Sequence, residues 1–234
     1  MEVRGAIVAE ALLASAAVTL GVWAITAILP VGVHATLVGF VFLGATWWLV
    51  WRHDDDRVLR AGLALGGLVM PGRLRPVELA RQTAIALGWA LAIAAVVALP
   101  YFLVWRLWWR PKLAFSLSMP AGELFGETFS QIAVIALPEE AFYRGYLQSR
   151  LDEAFEPRWR VLGAEIGPGL VASAAIFAFG HIATVHLPTR LAVFFPALLF
   201  GWLRARSRGV GASVVLHALC NVGEEVLGRG FGVY

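Results

Sequence analysis

The chain has 234 residues, of which 59% are hydrophobic and 15% charged; an average soluble domain has about 45–50% and roughly 25%. With a mean hydropathy of +0.74, this excludes a disordered chain, a coiled coil and a nucleic-acid-binding module, and argues against an ordinary soluble enzyme. The net charge of +3 needs no anionic partner, because topology places the basic residues of a membrane protein on its loops.

In chain order, seven stretches approach the roughly 20 apolar residues that a helical span needs. They are residues 6–29, 31–51, 83–105, 129–147, 169–186, 191–203 and 210–227. The first is too long for a signal-peptide core and reads as a retained span. Residues 61–70 are apolar but only ten long, and Pro71-Gly72 follows. That stretch reads as interfacial or re-entrant, with an eighth span as the alternative. Residues 73–82 read as a surface amphipathic helix, with Leu74, Val77 and Leu79 between arginines. The expected fold is an all-α transmembrane bundle. Residues 1–125 would form the N-terminal helices and interfacial segment, and 126–234 the catalytic helical core.

A cytoplasmic N-terminus puts 13 of the 19 basic residues on the inner side and 5 on the outer, with Arg144 inside a span. That bias follows the positive-inside rule. Trp47, Trp48, Trp51, Trp105, Trp108 and Trp109 fall at span ends, where aromatic belts form. With one cysteine, Cys220, no intrachain disulfide forms.

Ionisable groups inside spans carry the functional signal, because each costs about 2.5–3.5 kcal/mol at a span centre. The fourth span holds Pro138-Glu139-Glu140-Ala-Phe-Tyr-Arg144. Glu140 and Arg144 are four apart and share a helix face, so they can pair. Glu139 lies about 100° around the helix, free to face a polar cavity as a general base. Pro138 removes a backbone N–H and frees the Val134 carbonyl, which predicts a kink. The plain alternative is a helix end with solvated charges.

The fifth span holds Phe177 and His181 four apart on one face. Taken alone, His181 reads equally as a satisfied core histidine, and His186 as an interfacial one. The seventh span holds His217 and Asn221 on one face, extended by Glu224. Asn221 alone is also consistent with interhelical hydrogen bonding, and Cys220 with a small buried hydrophobe. Together these groups suit water activation beside a carbonyl. A carboxylate and a histidine activate the water, while a second histidine and an amide stabilise the oxyanion. Glu224 is expected at a substrate entry on the outer side.

Two other function classes fit the same polar residues. One is a non-catalytic immunity or scaffold protein, with the residues only locking helices together. The other is a proton-coupled transporter, although no internal repeat is visible. The sequence has no H-E-x-x-H, G-x-G-D or G-x-S-x-G motif.

Three motifs, in order, resemble the CPBP intramembrane proteases, which include the CAAX prenyl endopeptidases. They are Glu139-Glu140-Ala-Phe-Tyr-Arg144, Phe177-Ala-Phe-Gly-His181 and His217-Ala-Leu-Cys-Asn221. The resemblance covers residues 129–221. It implies a polytopic helical peptidase acting on a membrane-anchored or lipidated protein substrate in or near the bilayer. Glu139 and His181 would activate water, His217 and Asn221 would form the oxyanion site, and Glu140, Arg144 and Phe177 would support them. A metal-free, glutamate-activated water is the favoured mechanism. A zinc site of Glu139, His181 and His217 is the alternative, since three ligands plus water is the usual catalytic count. The stretch 194–203, and Glu224-Glu225 after Asn221, are similar to the myxosortase branch, proposed to process C-terminal sorting tails. That branch implies a bacterial inner membrane.

Overall fold

The computed structural model describes residues 2–70, 74–117 and 119–233. Almost every element is helical. Helix α1 (Glu2–Ile28) turns at Pro30, whose backbone is extended, into α2 (His34–Thr46). A π turn, Trp47–Trp51, prolongs α2. The short α3 (Asp55–Arg60) starts at Asp54, whose carboxylate accepts from the Arg57 N–H at 2.8 Å, a standard N-cap.

Residues 61–70 form no span. They fold into tight turns that bury Ala61, Leu63 and Met70 in the bundle core and leave Leu68 exposed. Trp51 Nε1 donates to the Leu63 carbonyl at 3.3 Å. No eighth span forms here. Pro71, Gly72 and Arg73 lie outside the described residues.

Helix α4 (Pro76–Trp109) is 34 residues long, about 50 Å at 1.5 Å per residue. The amphipathic segment expected before residue 83 is its first turns, not a separate helix. Nothing at the 82–83 junction breaks it, and just before it Glu78 accepts from both Arg81 (2.9 Å) and Gln82 (2.6 Å). Only Ala90 and Trp105 of α4 are buried, so most of its apolar surface faces outward.

Residues 121–155 are continuously helical. Helix α5 (Ala121–Ser130) passes through a π turn (Gln131–Ala136) into α6 (Leu137–Glu140). A second π turn (Ala141–Gln148) leads to α7 (Ser149–Phe155). A small hairpin follows, β1 (Trp159–Val161) antiparallel to β2 (Ala164–Ile166), which the apolar pattern did not announce. Then come α8 (Pro168–Val185), α9 (Phe194–Ser207) and α10 (Gly211–Gly230). Pro168 sits at the first position of α8, where its missing N–H costs nothing.

Among the described residues, four helices are long and apolar enough to cross a membrane: Val3–Ile28, Val31–Trp51, Pro76–Trp109 and Pro168–Val185. The other three expected spans are helical but differ for identifiable reasons. Glu139, Glu140 and Arg144 interrupt the first. Helix α9 has only 14 residues. Helix α10 carries His217, Asn221, Glu224 and Glu225. Glu140 of the first and His217 of the third face each other at 2.9 Å.

The core follows from that arrangement. Phe42, Phe142, Tyr143 and Phe177 form one aromatic cluster, with ring centroids 4.8 Å apart for Tyr143–Phe177 and 5.7 Å for Phe42–Phe142. Each such pair contributes about 0.5–1.5 kcal/mol, which matters where lipid removes most of the hydrophobic drive between helices. Glu10 of α1 pins that helix to the rest through Arg150 (2.6 Å), Tyr146 (3.2 Å) and Arg57 (3.5 Å).

Candidate active site

The helix carrying the two glutamates is unusually wound. Four α residues, Leu137–Glu140, stand between two π turns. Pro138 supplies no N–H to the Val134 carbonyl, and wider turns absorb the freed group. Gly39 of α2 closes on this spot. A Cβ at Gly39 would stand 2.7 Å from the Val134 oxygen, so only glycine allows α2 to approach the unwound backbone. The expected distortion before Glu139 is thus a change of winding, packed over by α2.

Glu140 and Arg144 form the expected ion pair, 3.2 Å apart, with side chains 0% and 1% exposed. Arg144 also donates to the Ala197 carbonyl of α9 at 3.2 Å. Its guanidinium lies 4.5 Å from the Phe177 ring centroid and 5.3 Å from that of Phe200, which adds cation–π attraction. His217 of α10 closes the group. Its Nδ1 is 2.9 Å from Glu140 Oε1, and its ring stacks on Phe200 at 4.9 Å. An ionised carboxylate only accepts, so Nδ1 carries the hydrogen and Nε2 faces the other way. There it lies 3.9 Å from Glu139 Oε2.

Glu139 occupies the opposite environment. It lines a cavity of about 230 Å³ with Tyr143, with Gly180 and His181 of α8, with Thr19 of α1 and with His34 of α2. Its Oε2 is buried and has no hydrogen-bond partner among the described residues. His181 Nδ1 is 3.0 Å from the Phe177 carbonyl. That oxygen can only accept, so Nδ1 donates and Nε2 is left as an acceptor. Phe177 positions the ring further by stacking at 4.4 Å. A carboxylate and a basic imidazole nitrogen therefore line one cavity, as water activation requires.

Residues 121–223 match the family model described as type II CAAX prenyl endopeptidase, Rce1-like. This segment is similar to the domain of that family. The family is one of CAAX-type intramembrane proteases. No curated protein and no solved structure matches the chain.

The matched segment runs from the start of α5 to beyond Asn221, so Thr19, Gly39 and His34 reach the cavity from outside it. Asn221 is not on the cavity wall. Its Nδ2 donates to Gln131 Oε1 at 2.8 Å, and Gln131 in turn donates to Glu127 at 2.8 Å. Glu224 accepts from the Tyr101 hydroxyl of α4. His186 ends α8 in the left-handed region at φ 58° and is exposed. Cys220 is half-buried.

Glu139, His181 and His217 do not assemble as a zinc site. Among the described residues, no group of three or more His, Cys, Asp or Glu is arranged to hold a metal ion. His217 gives Nδ1 to Glu140, and its Nε2 stands 3.9 Å from Glu139.

Sequence reasoning missed Tyr143, Gln131, Glu127 and the cavity residues of α1 and α2. Tyr143 had a signal: it stands four residues after Glu139, the spacing that also joins Glu140 to Arg144. Gln131 and Glu127 are likewise four apart on one helix and eight or more residues upstream of the motif. Nothing local marks Thr19 or Gly39, because their role depends on how α1 and α2 pack.

Proposed function

We propose that this chain is an intramembrane endopeptidase. It hydrolyses a peptide bond near the C-terminus of a membrane-anchored or lipidated protein, with C-terminal sorting tails as the natural class. One observation carries this reading: two adjacent carboxylates have opposite environments. Glu140 is buried against Arg144 and His217, while Glu139 lines a cavity with its Oε2 unpartnered. Divergent environments of paired groups are how acid–base roles are divided. The match to the Rce1-like family model supports the same reading.

In this scheme Glu139 and His181 hold a water in the cavity. The water oxygen bonds to the carbonyl carbon of the scissile peptide as its proton passes to Glu139. The carbonyl π pair moves onto oxygen, next to His217 and Asn221. Collapse breaks the C–N bond, and Glu139 returns its proton to the leaving nitrogen. The net change is addition of one water to give a carboxylate and an ammonium group. Glu140, Arg144 and Phe177 hold His217 and His181 in place. Residues 126–234 act as the catalytic core and 1–125 as the helices that wall it. We place the protein in a bacterial inner membrane with its N-terminus cytoplasmic and Glu224 at the substrate entry. Normal activity of Glu224→Gln on every cleaved substrate argues against that entry.

The test uses the full-length protein in lipid–detergent micelles with two quenched peptides, a farnesylated CAAX peptide and a hydrophobic C-terminal tail. Wild type cuts one of them, and Glu139→Gln loses at least about 10³-fold at an unchanged melting temperature. If Glu139→Gln and His181→Ala both stay fully active, the site assignment is wrong.

A further inference from the structure

The cavity that holds Glu139 and His181 contains a third group able to act on the substrate. Tyr143 follows Glu139 by one helical repeat, and both line the cavity. The Tyr143 ring is clamped edge-on against Phe177 at 4.8 Å and Phe142 at 5.2 Å, and tilted on Phe42 at 5.5 Å. Ser173 Oγ donates to the Tyr143 carbonyl at 2.9 Å, fixing the backbone at the same residue. A ring held on three sides gives its hydroxyl one position.

That position is defined by Gly180 and Thr19. A Cβ built on Gly180 would stand 3.1 Å from the Tyr143 hydroxyl oxygen and 3.7 Å from Thr19 Oγ1. The two hydroxyls thus converge on a bare glycine at the cavity wall. A phenol oxygen can accept from a neighbouring hydroxyl such as that of Thr19 while its own proton points into the cavity.

The two donors assigned to the oxyanion each commit a hydrogen within the protein. His217 commits Nδ1–H to Glu140. Asn221 spends one amide hydrogen on Gln131. Neither residue lines the cavity, whereas Tyr143 does.

We propose that Tyr143 is a catalytic residue whose hydroxyl donates a hydrogen bond to the scissile carbonyl oxygen, with Thr19 orienting that hydroxyl and Gly180 leaving room for it. The proposal rests on the peptidase reading. As the water oxygen bonds to the carbonyl carbon, the electron pair displaced onto oxygen is met by the O–H of Tyr143. The tyrosine keeps its proton, and when the C–N bond breaks the hydrogen bond relaxes to that of a neutral carbonyl. A preorganised donor of this kind is worth about 10²–10³ in turnover.

The experiment measures kcat and KM of full-length Tyr143→Phe, Thr19→Val and Gly180→Ala beside wild type and Glu139→Gln, on whichever of the two quenched peptides wild type cuts. Tyr143→Phe keeps the ring and its packing. We expect its kcat to fall about 100-fold with KM within about threefold, and its melting temperature to match wild type. Thr19→Val and Gly180→Ala, which misalign the same hydroxyl, should each lose about tenfold in kcat. A Tyr143→Phe enzyme with wild-type kcat overturns the Tyr143 assignment alone, provided Glu139→Gln is dead. A Tyr143→Phe loss that appears only in KM, or that a fallen melting temperature accompanies while Thr19→Val and Gly180→Ala stay at wild-type rates, overturns it as well. Wild type cutting neither peptide overturns the peptidase reading and the Tyr143 assignment together.

Discussion

Glu140 Oε1 and His217 Nδ1 meet at 2.9 Å although 77 residues separate them. This contact joins the first motif to the third and fixes which face of His217 looks at Glu139. Because Arg144 shares the same carboxylate at 3.2 Å, the buried charge is balanced before any substrate arrives.

That balance sets the first prediction. Arg144→Met leaves Glu140 as an uncompensated buried charge, and Glu140→Gln leaves Arg144 in the same state. Breaking a buried pair from one side costs about 3–5 kcal/mol. Both variants should express poorly and melt far below wild type in detergent. Glu139→Gln, which removes no paired charge, should melt like wild type. Equal melting of all three would contradict the division between the two glutamates.

The second prediction concerns Gly39. Gly39→Ala puts a methyl group 2.7 Å from a backbone oxygen, which no side-chain rotation relieves. Overpacking of this kind costs about 1–3 kcal/mol. Thermal melting should report that loss. Turnover should fall too, because α2 and the Glu139 helix both wall the cavity.

The third prediction addresses Asn221. Glu127 accepts from the Gln131 amide, so Gln131 presents its oxygen to Asn221 and the amide of Asn221 is oriented in turn. Gln131→Leu removes the link, and turnover should drop roughly 10- to 100-fold through misplacement. Glu127→Gln, which lets the Gln131 amide take either orientation, should lose less. An unchanged rate in Gln131→Leu would remove Asn221 from the reaction.

The fourth prediction is a pH dependence of stability. Burial pushes the Asp152 carboxyl up to about 6, with the Arg204 guanidinium and Gln148 pulling the other way. A carboxyl whose folded value lies above its unfolded value binds protons more tightly when folded. Stability is therefore greatest below about pH 4 for this group, and falls as pH rises to about 6, by up to roughly 3 kcal/mol. Asp152→Asn should flatten that fall and raise the melting temperature at pH 7. Melting curves from pH 4 to 8 in detergent measure it, and a parallel shift at every pH would contradict it.

The fifth prediction is that chelation leaves turnover intact. Among the described residues, no group of three or more His, Cys, Asp or Glu is placed to hold a metal ion. Treatment with EDTA or phenanthroline should change kcat by less than about twofold. A loss restored by zinc would mean that Glu139, His181 and His217 rearrange to bind it.

Much of the architecture was legible because its signals are local. A long apolar run makes a helix wherever it packs, so the helices at 3–28 and 168–185 stand close to where the pattern put them. The four-residue spacing of Glu140 and Arg144 acts within one helix turn, and the pair is present. The segment 61–70 does not span, as its ten-residue length predicts, but which of its side chains are buried was not legible, because apolar content alone does not separate lipid-facing from core-facing turns. Leu63 is 0% exposed for a reason that lies in the helices around it.

By itself, the sequence determined a helical membrane protein with two glutamates, two histidines and an asparagine in apolar surroundings, because composition and helical spacing are properties of neighbouring residues. Only the tertiary structure decided which partner each of them has. It gave Glu140 to His217, Gln131 to Asn221, and a shared cavity to Glu139, Tyr143 and His181. Those pairings depend on how close the helices come. Close approach turns on single features distant in the chain, such as the bare Cα of Gly39 against Val134 and of Gly180 against Tyr143.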